Sequence, residues 1–280
     1  VHVLVLGHKL QVDPRLKTEL AEKGIHLHRR DITEPLSLEM LKQFQVVFVG
    51  EAVPVGSTLP SHVAKAKTLE ENYRNIDKYV DVGGGFLYTP DVGGYGGAMK
   101  CSEIMKRYGA KILPLQIRDD EHRYVPQPPP KRDAGYSWTD KISKHPATTG
   151  VKTIFYPTPQ HRWDDFYSTP AVELNSDWTQ LVGTMESGTA SWTSTYVDWI
   201  VIKDEPQTIA AVRDYEKGRV GLLNVNSFYT FWHPYWEPKD HGKYGRAQIK
   251  ERTTGDIDGI FMEKGDGTRK SQGRELLIGM

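Results

Sequence analysis

Cysteine is nearly absent from this 280-residue chain. The single Cys101 leaves no partner for an intrachain disulfide and no thiol set for a metal. It falls in a predicted helix, where an inert, half-buried thiol is the simpler expectation than a reactive one. Net charge is absent as well. With 36 basic and 36 acidic residues, no whole-protein field favours nucleic acid or an anionic membrane surface, so neither is expected as a partner. No apolar run reaches the ~18 residues of a membrane span, no leader pattern opens the sequence and no internal repeat is found. A soluble protein is expected, with periplasmic, secreted and cytoplasmic placement all compatible. The chain starts directly on a strand, Val1 to Leu6, and ends in Ser271 to Met280, a helix without a cap; the natural protein is expected to continue.

What is present in abundance is glycine, concentrated in Gly83-Gly84-Gly85-Phe86-Leu87-Tyr88-Thr89-Pro90-Asp91-Val92-Gly93-Gly94-Tyr95-Gly96-Gly97. A short apolar strand around Leu87 leads through a glycine turn into a predicted helix from Ala98 to Tyr108. Glycines let a backbone approach a ligand closely, and a helix start offers N–H groups to an anion. Gly93 and Gly94 are therefore candidate ligand contacts. Neither a phosphate-loop nor a dinucleotide motif is complete, so nucleotide binding is a minor expectation and no cofactor is predicted. The tip of the turn carries Thr89, Pro90 and Asp91, with no Cys or Ser to act as a nucleophile elbow.

The first half alternates strand and helix, which predicts an α/β domain with a mostly parallel sheet. Strands are expected at Val3 to Leu6, Ile25 to His28, Val46 to Val49 and Lys111 to Leu113. Helices are expected at Arg15 to Lys23, opened by Asp13-Pro14 and ended by Gly24, then Leu36 to Phe44 and about His62 to Val80. From about 115 to 145 the proline-rich run Val125 to Arg132 predicts an irregular surface excursion. Thr208 to Asp214 and Arg219 to Val225 flank a hairpin-like turn at Tyr215 to Gly218. Segment 151–200 reads as strands or loops. One domain, 1–280, is expected.

Taken in order, these elements resemble the class I glutamine-amidotransferase-like superfamily, especially its ThuA-like and β-galactosidase-associated branches. The resemblance is carried by Val3 to Leu6, Phe48-Val49-Gly50-Glu51, Tyr79 to Leu87, His145-Pro146-Ala147-Thr148-Thr149-Gly150-Val151 and Ala210 to Val220. It implies a flavodoxin-like three-layer α/β/α sandwich. It also implies that a nucleophilic cysteine would sit near Thr89 to Asp91, where none stands, and the family's His-x-Glu pair is missing near the C-terminal end. Glutamine hydrolysis is therefore not expected, and the scaffold by itself leaves function open.

Ligands of open parallel sheets bind beyond the carboxyl ends of the strands. His8, Glu51, Asp91 and His233 each come after a predicted strand and are the candidate catalytic residues, as two carboxylates and two imidazoles suited to acid/base chemistry. Each also has a plain structural role open to it, the carboxylates as caps or turn formers and the histidines as solvated loop residues. A divalent metal held by the same four is the lesser expectation, because no local His spacing supports it. Six of the nine residues from Phe228 to Trp236 are aromatic. They either plug the loop layer or form a wall for sugar rings, with Tyr229, Trp232, Tyr235 and Trp236 as contacts. Trp163, Trp192 and Trp199, with Asp164, Asp165 and Asp198, could extend it.

The leading expectation is thus a sugar-recognising or assembly domain in carbohydrate metabolism, partnered by a sugar derivative and by a further domain or a second copy. A sugar hydrolase or isomerase using Glu51 and Asp91 and a purely structural oligomerisation domain are the alternatives.

Overall fold

Leu4 and Leu6 of β1 (His2–Gly7) join one hydrophobic cluster and Val5 joins another, all three fully buried, so this strand is covered on both faces. The computed structural model describes residues 1–7, 11–12, 14–51, 65–90, 103–124, 135–158, 169–194, 197–225, 231–232 and 265–280.

After β1 come β2 (Gln11–Val12), α1 (Pro14–Glu22), β3 (His26–Arg30), α2 (Leu38–Leu41), β4 (Val46–Glu51), α3 (Ala66–Asp81) and β5 (Gly85–Tyr88). The middle of the chain forms β6 (Ala110–Arg118), β7 (Arg123–Tyr124), β8 (Tyr136–Thr139), β9 (Ile154–Pro157), β10 (Pro170–Leu174), β11 (Thr179–Gly183), β12 (Thr189–Ser194) and β13 (Val197–Lys203). It closes with β14 (Thr208–Tyr215), β15 (Gly218–Leu223), β16 (Phe231–Trp232) and α4 (Gly273–Gly279).

The main sheet has the order β11-β14-β15-β5-β4-β1-β3. Strands β3, β1, β4, β5 and β15 run parallel, whereas β14 and β11 join antiparallel. Local signals explain its helices. Pro14 opens α1, and Gly24, with φ of 76°, ends its exit turn. The Ser37 hydroxyl caps α2 by accepting the Met40 N–H. Leu69, Asn72, Ile76, Tyr79 and Val80 form the buried stripe of α3, which packs with Leu4, Leu6, Val47, Val49, Phe86 and Tyr88 of the sheet.

The opposite face departs from a plain three-layer sandwich. Leu20 of α1 and Leu276 of α4 pack there, but Tyr136, Ile154, Phe155 and Tyr156 of β8 and β9 fill the same cluster. Strands β7, β8 and β9 form one small sheet, β10-β6-β12-β13 a second, and β16-β2 a ribbon. The architecture is α/β with helices flanking mixed sheets, consistent with a flavodoxin-like arrangement carrying extra sheets. Two local expectations are corrected. The strand at Lys111 to Leu113 runs on to Arg118 and belongs to the second sheet. The expected irregular excursion instead contains the end of β6, β7 and β8, with Ile117, Tyr136, Ser137 and Thr139 buried; residues 125–134 lie outside the described residues. Of the helix expected from Ala98, residues 103–106 are described and helical.

Candidate functional site

The inner strands of the main sheet end in line. Leu6 pairs with Val49, Val49 with Tyr88, and Tyr88 with Leu222. The register shifts after Leu6, so Gly7 faces Glu51 and Gly50 is the extra residue of a bulge. Glu51 is the last residue of β4 at the carboxyl edge of the sheet, as its place in the sequence predicts.

Two buried polar residues, not singled out by sequence as contacts, continue this edge. The Thr89 N–H donates to the Val49 carbonyl at 3.2 Å, while its hydroxyl, on a residue 1% exposed, finds no hydrogen-bond partner among the described residues. Asn224, fully buried just past β15, donates its N–H to Ile209 and its side-chain amide to Thr208, each at 2.7 Å. Its Oδ1 has no partner among the described residues. Buried polar atoms are nearly always satisfied, so two unspent ones past adjacent strands suit the floor beneath a polar ligand or an ordered water. Asn224 comes directly after a strand ending in Leu222-Leu223, and only its polarity against that apolar run could have marked it.

The β2–β16 ribbon brings a third part of the chain to the segment beyond β1. Gln11 pairs with Trp232 and Val12 with Phe231, so the aromatic stretch after β15 returns to the residues just past the end of β1. Of the twelve sequence-predicted site residues, His8, Asp91, His233, Tyr229, Tyr235, Trp236, Trp163, Gly93 and Gly94 lie outside the described residues, as do Cys101, Asp164 and Asp165. Trp192 is on β12, 41% exposed and opposite Ile200 of β13, in a different sheet from Trp232; Asp198 and Trp199 belong to β13. His145 has a structural role, capping the short helical turn at Pro146–Thr148. Its Nδ1 accepts the Ala147 N–H at 3.1 Å, and the Thr148 hydroxyl accepts the His145 N–H at 3.1 Å.

A second polar cluster lies between β6 and β7. The buried Asp119 carboxylate accepts from the His122 N–H at 3.1 Å and from the Ser187 hydroxyl at 2.9 Å, and it stands 3.2 Å from His122 Nδ1. Ser187 Oγ lies 3.0 Å from that same Nδ1. A catalytic triad needs the carboxylate and the hydroxyl on opposite ring nitrogens, so this cluster has the residue types but not the relay. It fastens the turn into β7. Burial, and after it the charge of Asp119, pushes the neighbouring Tyr156 phenol well above its usual range.

Among the described residues, no group of three or more His, Cys, Asp and Glu side chains is placed to hold a metal ion, and no helix is long and apolar enough to cross a membrane. A pocket of about 340 Å³ opens at the other end of the sheet, beside Gly85, Lys217, Gly218 and Arg219. Its Arg219 is engaged by Asp214 at 2.8 Å.

The fold is that of an α/β protein, with a candidate site at the carboxyl edge of its main sheet and no cysteine in the sequence from Thr89 to Gly97. No family model matches the sequence, and no curated protein matches it. Solved structures do. A cytoplasmic protein of Salmonella typhimurium LT2 is 11% identical, with 90% of this chain and 95% of that one covered and a TM-score of 0.49. A glutamine amidotransferase of Thermotoga maritima is 13% identical over 80% of this chain and 74% of that one, with a TM-score of 0.39. An exo-β-1,4-mannosidase of an Opitutaceae bacterium is 12% identical over 90% of this chain and 33% of that one, with a TM-score of 0.38. Each of these likenesses is distant and at low identity.

Proposed function

We propose that this chain is a carbohydrate-recognising domain on an amidotransferase-like scaffold that has lost glutamine hydrolysis, binding its ligand at the carboxyl edge of the main sheet. The observation that carries the proposal is the pairing of Gln11 with Trp232, which returns an aromatic-rich segment to the chain just beyond β1. Aromatic faces stack on the C–H faces of pyranose rings, while polar atoms without a partner among the described residues, such as Thr89 Oγ1 and Asn224 Oδ1, answer hydroxyls. Thr89 opens the stretch, Thr89 to Asp91, where the resemblance places the scaffold's cysteine, and among the described residues no base bonds its buried hydroxyl.

The test is a glycan array, then calorimetry on the whole protein. Binding is expected, and Trp232→Ala is expected to weaken it at least tenfold without lowering the melting temperature. No binding to any glycan overturns the sugar assignment. Dissociation of an oligomer by Trp232→Ala, with sugar binding intact, would replace it with an assembly role.

A second reading, a sugar hydrolase or isomerase, draws on Glu51 lying opposite Gly7, the residue before His8. In it Glu51 and Asp91 serve as acid and base with His8 or His233 assisting, and a glycosidase requires the two carboxyls ~5 Å or ~6.5–9.5 Å apart. Turnover of aryl glycosides abolished by Glu51→Gln would establish it. Unchanged turnover in that variant would remove it.

A further inference from the structure

At the amino end of β1, opposite the carboxyl edge, three histidines crowd the outer two strands of the main sheet. His2 pairs in register with His26, and Leu4 with His28, so the His-x-His pair of β3 lies along one face beside His2. The His2 ring stacks on His26 with centroids 5.2 Å apart and lies 5.2 Å from His28 at a tilt of 36°. Phe44 packs edge-on against His28 at 5.4 Å, fixing the outer ring. The backbone beneath is held by the His2 N–H on Gln45 Oε1 at 2.7 Å and the His26 N–H on the Val1 carbonyl at 2.8 Å. His2 Nδ1 and His28 Nε2 then face one another at 2.9 Å.

Two imidazole nitrogens face to face have two ways to avoid lone-pair repulsion. One ring donates a proton to the other, or both lone pairs address one cation. Tetrahedral zinc with Zn–N bonds of ~2.0–2.1 Å spaces its ligand nitrogens ~3.3–3.4 Å apart, so a ring movement of about 0.4 Å converts the first arrangement into the second. We infer that this pair is a surface site for a borderline divalent transition metal such as Zn²⁺, bound by His2 Nδ1 and His28 Nε2 with water completing the coordination shell.

Metal entry needs no redox partner. The ring that bridges through its N–H moves that proton to its other nitrogen, and each nitrogen places a lone pair on the metal. Metal and proton compete for the same ring nitrogens. His26 supports by stacking and is not a third ligand, in keeping with the absence of a three-group metal set among the described residues. Imidazole donors select zinc, nickel or copper over magnesium and calcium, which take oxygen. All three histidines are exposed, so the metal is open to exchange or to a further donor from solvent.

The test is calorimetric titration of the whole chain with Zn²⁺ alone in a non-chelating buffer. One saturable site is expected, weakened at least tenfold by His2→Asn and by His28→Asn, changed less than threefold by His26→Asn, and not filled by Mg²⁺. Circular dichroism confirms that these surface variants fold. Undiminished zinc binding in His28→Asn, or no zinc binding by the parent protein, overturns the inference. A loss in His26→Asn equal to that in His28→Asn overturns the two-ligand assignment.

Discussion

Asn72, in the middle of α3, holds Leu36, which lies 36 residues earlier in the chain: its Oδ1 accepts the Leu36 N–H at 2.8 Å, deep in the core. Its amide donates in turn to the carbonyls of Ile32 and Glu34, each at 2.7 Å. One fully buried side chain thus satisfies three backbone groups of the connection from β3 to α2. Asn72→Ala strips all three, and a buried unpaired group costs roughly 1–3 kcal/mol. A destabilisation of about 3 kcal/mol is expected, read as a lowered urea midpoint, with the slope of the transition unchanged.

Gly218 is a position where backbone meets backbone. A Cβ there would overlap the carbonyl oxygens of both Val80 and Gly84, neither of which can swing aside like a side chain. Gly218→Ala is expected to cost at least about 2 kcal/mol through overpacking. Gly267→Ala is the control, since no atom lies within 4 Å of its Cβ but φ is 84°. That variant carries only the left-handed penalty, on the order of 1 kcal/mol. Thermal melts of the two variants separate steric crowding from backbone strain.

Acid sensitivity should have an identifiable contributor in Asp266. Burial opposes its ionisation, but the N–H groups of Arg269 and Thr268, at 2.6 and 2.9 Å, and the Arg269 guanidinium outweigh it and hold the carboxyl below the ordinary aspartate range. A depressed carboxylate pKa means that the unfolded chain takes up its proton first as pH falls. The stabilisation is therefore complete above the unfolded value and is lost as pH drops through the folded one, below about pH 4. Asp266→Asn should flatten that acid limb of a stability-against-pH curve. An unaltered limb would assign the acid loss to other carboxylates.

The parallel core was legible in the sequence because its strands are short apolar runs fenced by helix caps and glycines. Val46 to Val49 and the turn at Glu216, the one described non-glycine residue with positive φ, stand where the pattern puts them. The second sheet was hidden by Pro114. It reads as the end of a strand, yet β10 passes it at an irregularity between Pro170 and Val172, and the pairing of β12 with β6 begins only at Gln116, so neither neighbour requires its missing N–H. In β12 and β13, two further register shifts break the alternation that would have marked residues 189–203 as paired strands. At the candidate site, the strand end at Glu51 was readable and the ribbon strand holding Trp232 was not, whereas the buried Thr89 and Asn224 atoms became informative only through having no partner among the described residues.

The pairing of β5 with β15 joins segments roughly 130 residues apart in the chain. Made at ~5–20 residues per second, β5 would wait roughly 7–26 s at the ribosome before its neighbour emerges. Through that interval β3, β1, β4 and β5 form an open sheet whose newest strand, Gly85-Phe86-Leu87-Tyr88, has an apolar, unsheltered edge. Slowing synthesis between residues 90 and 217 would prolong that exposure.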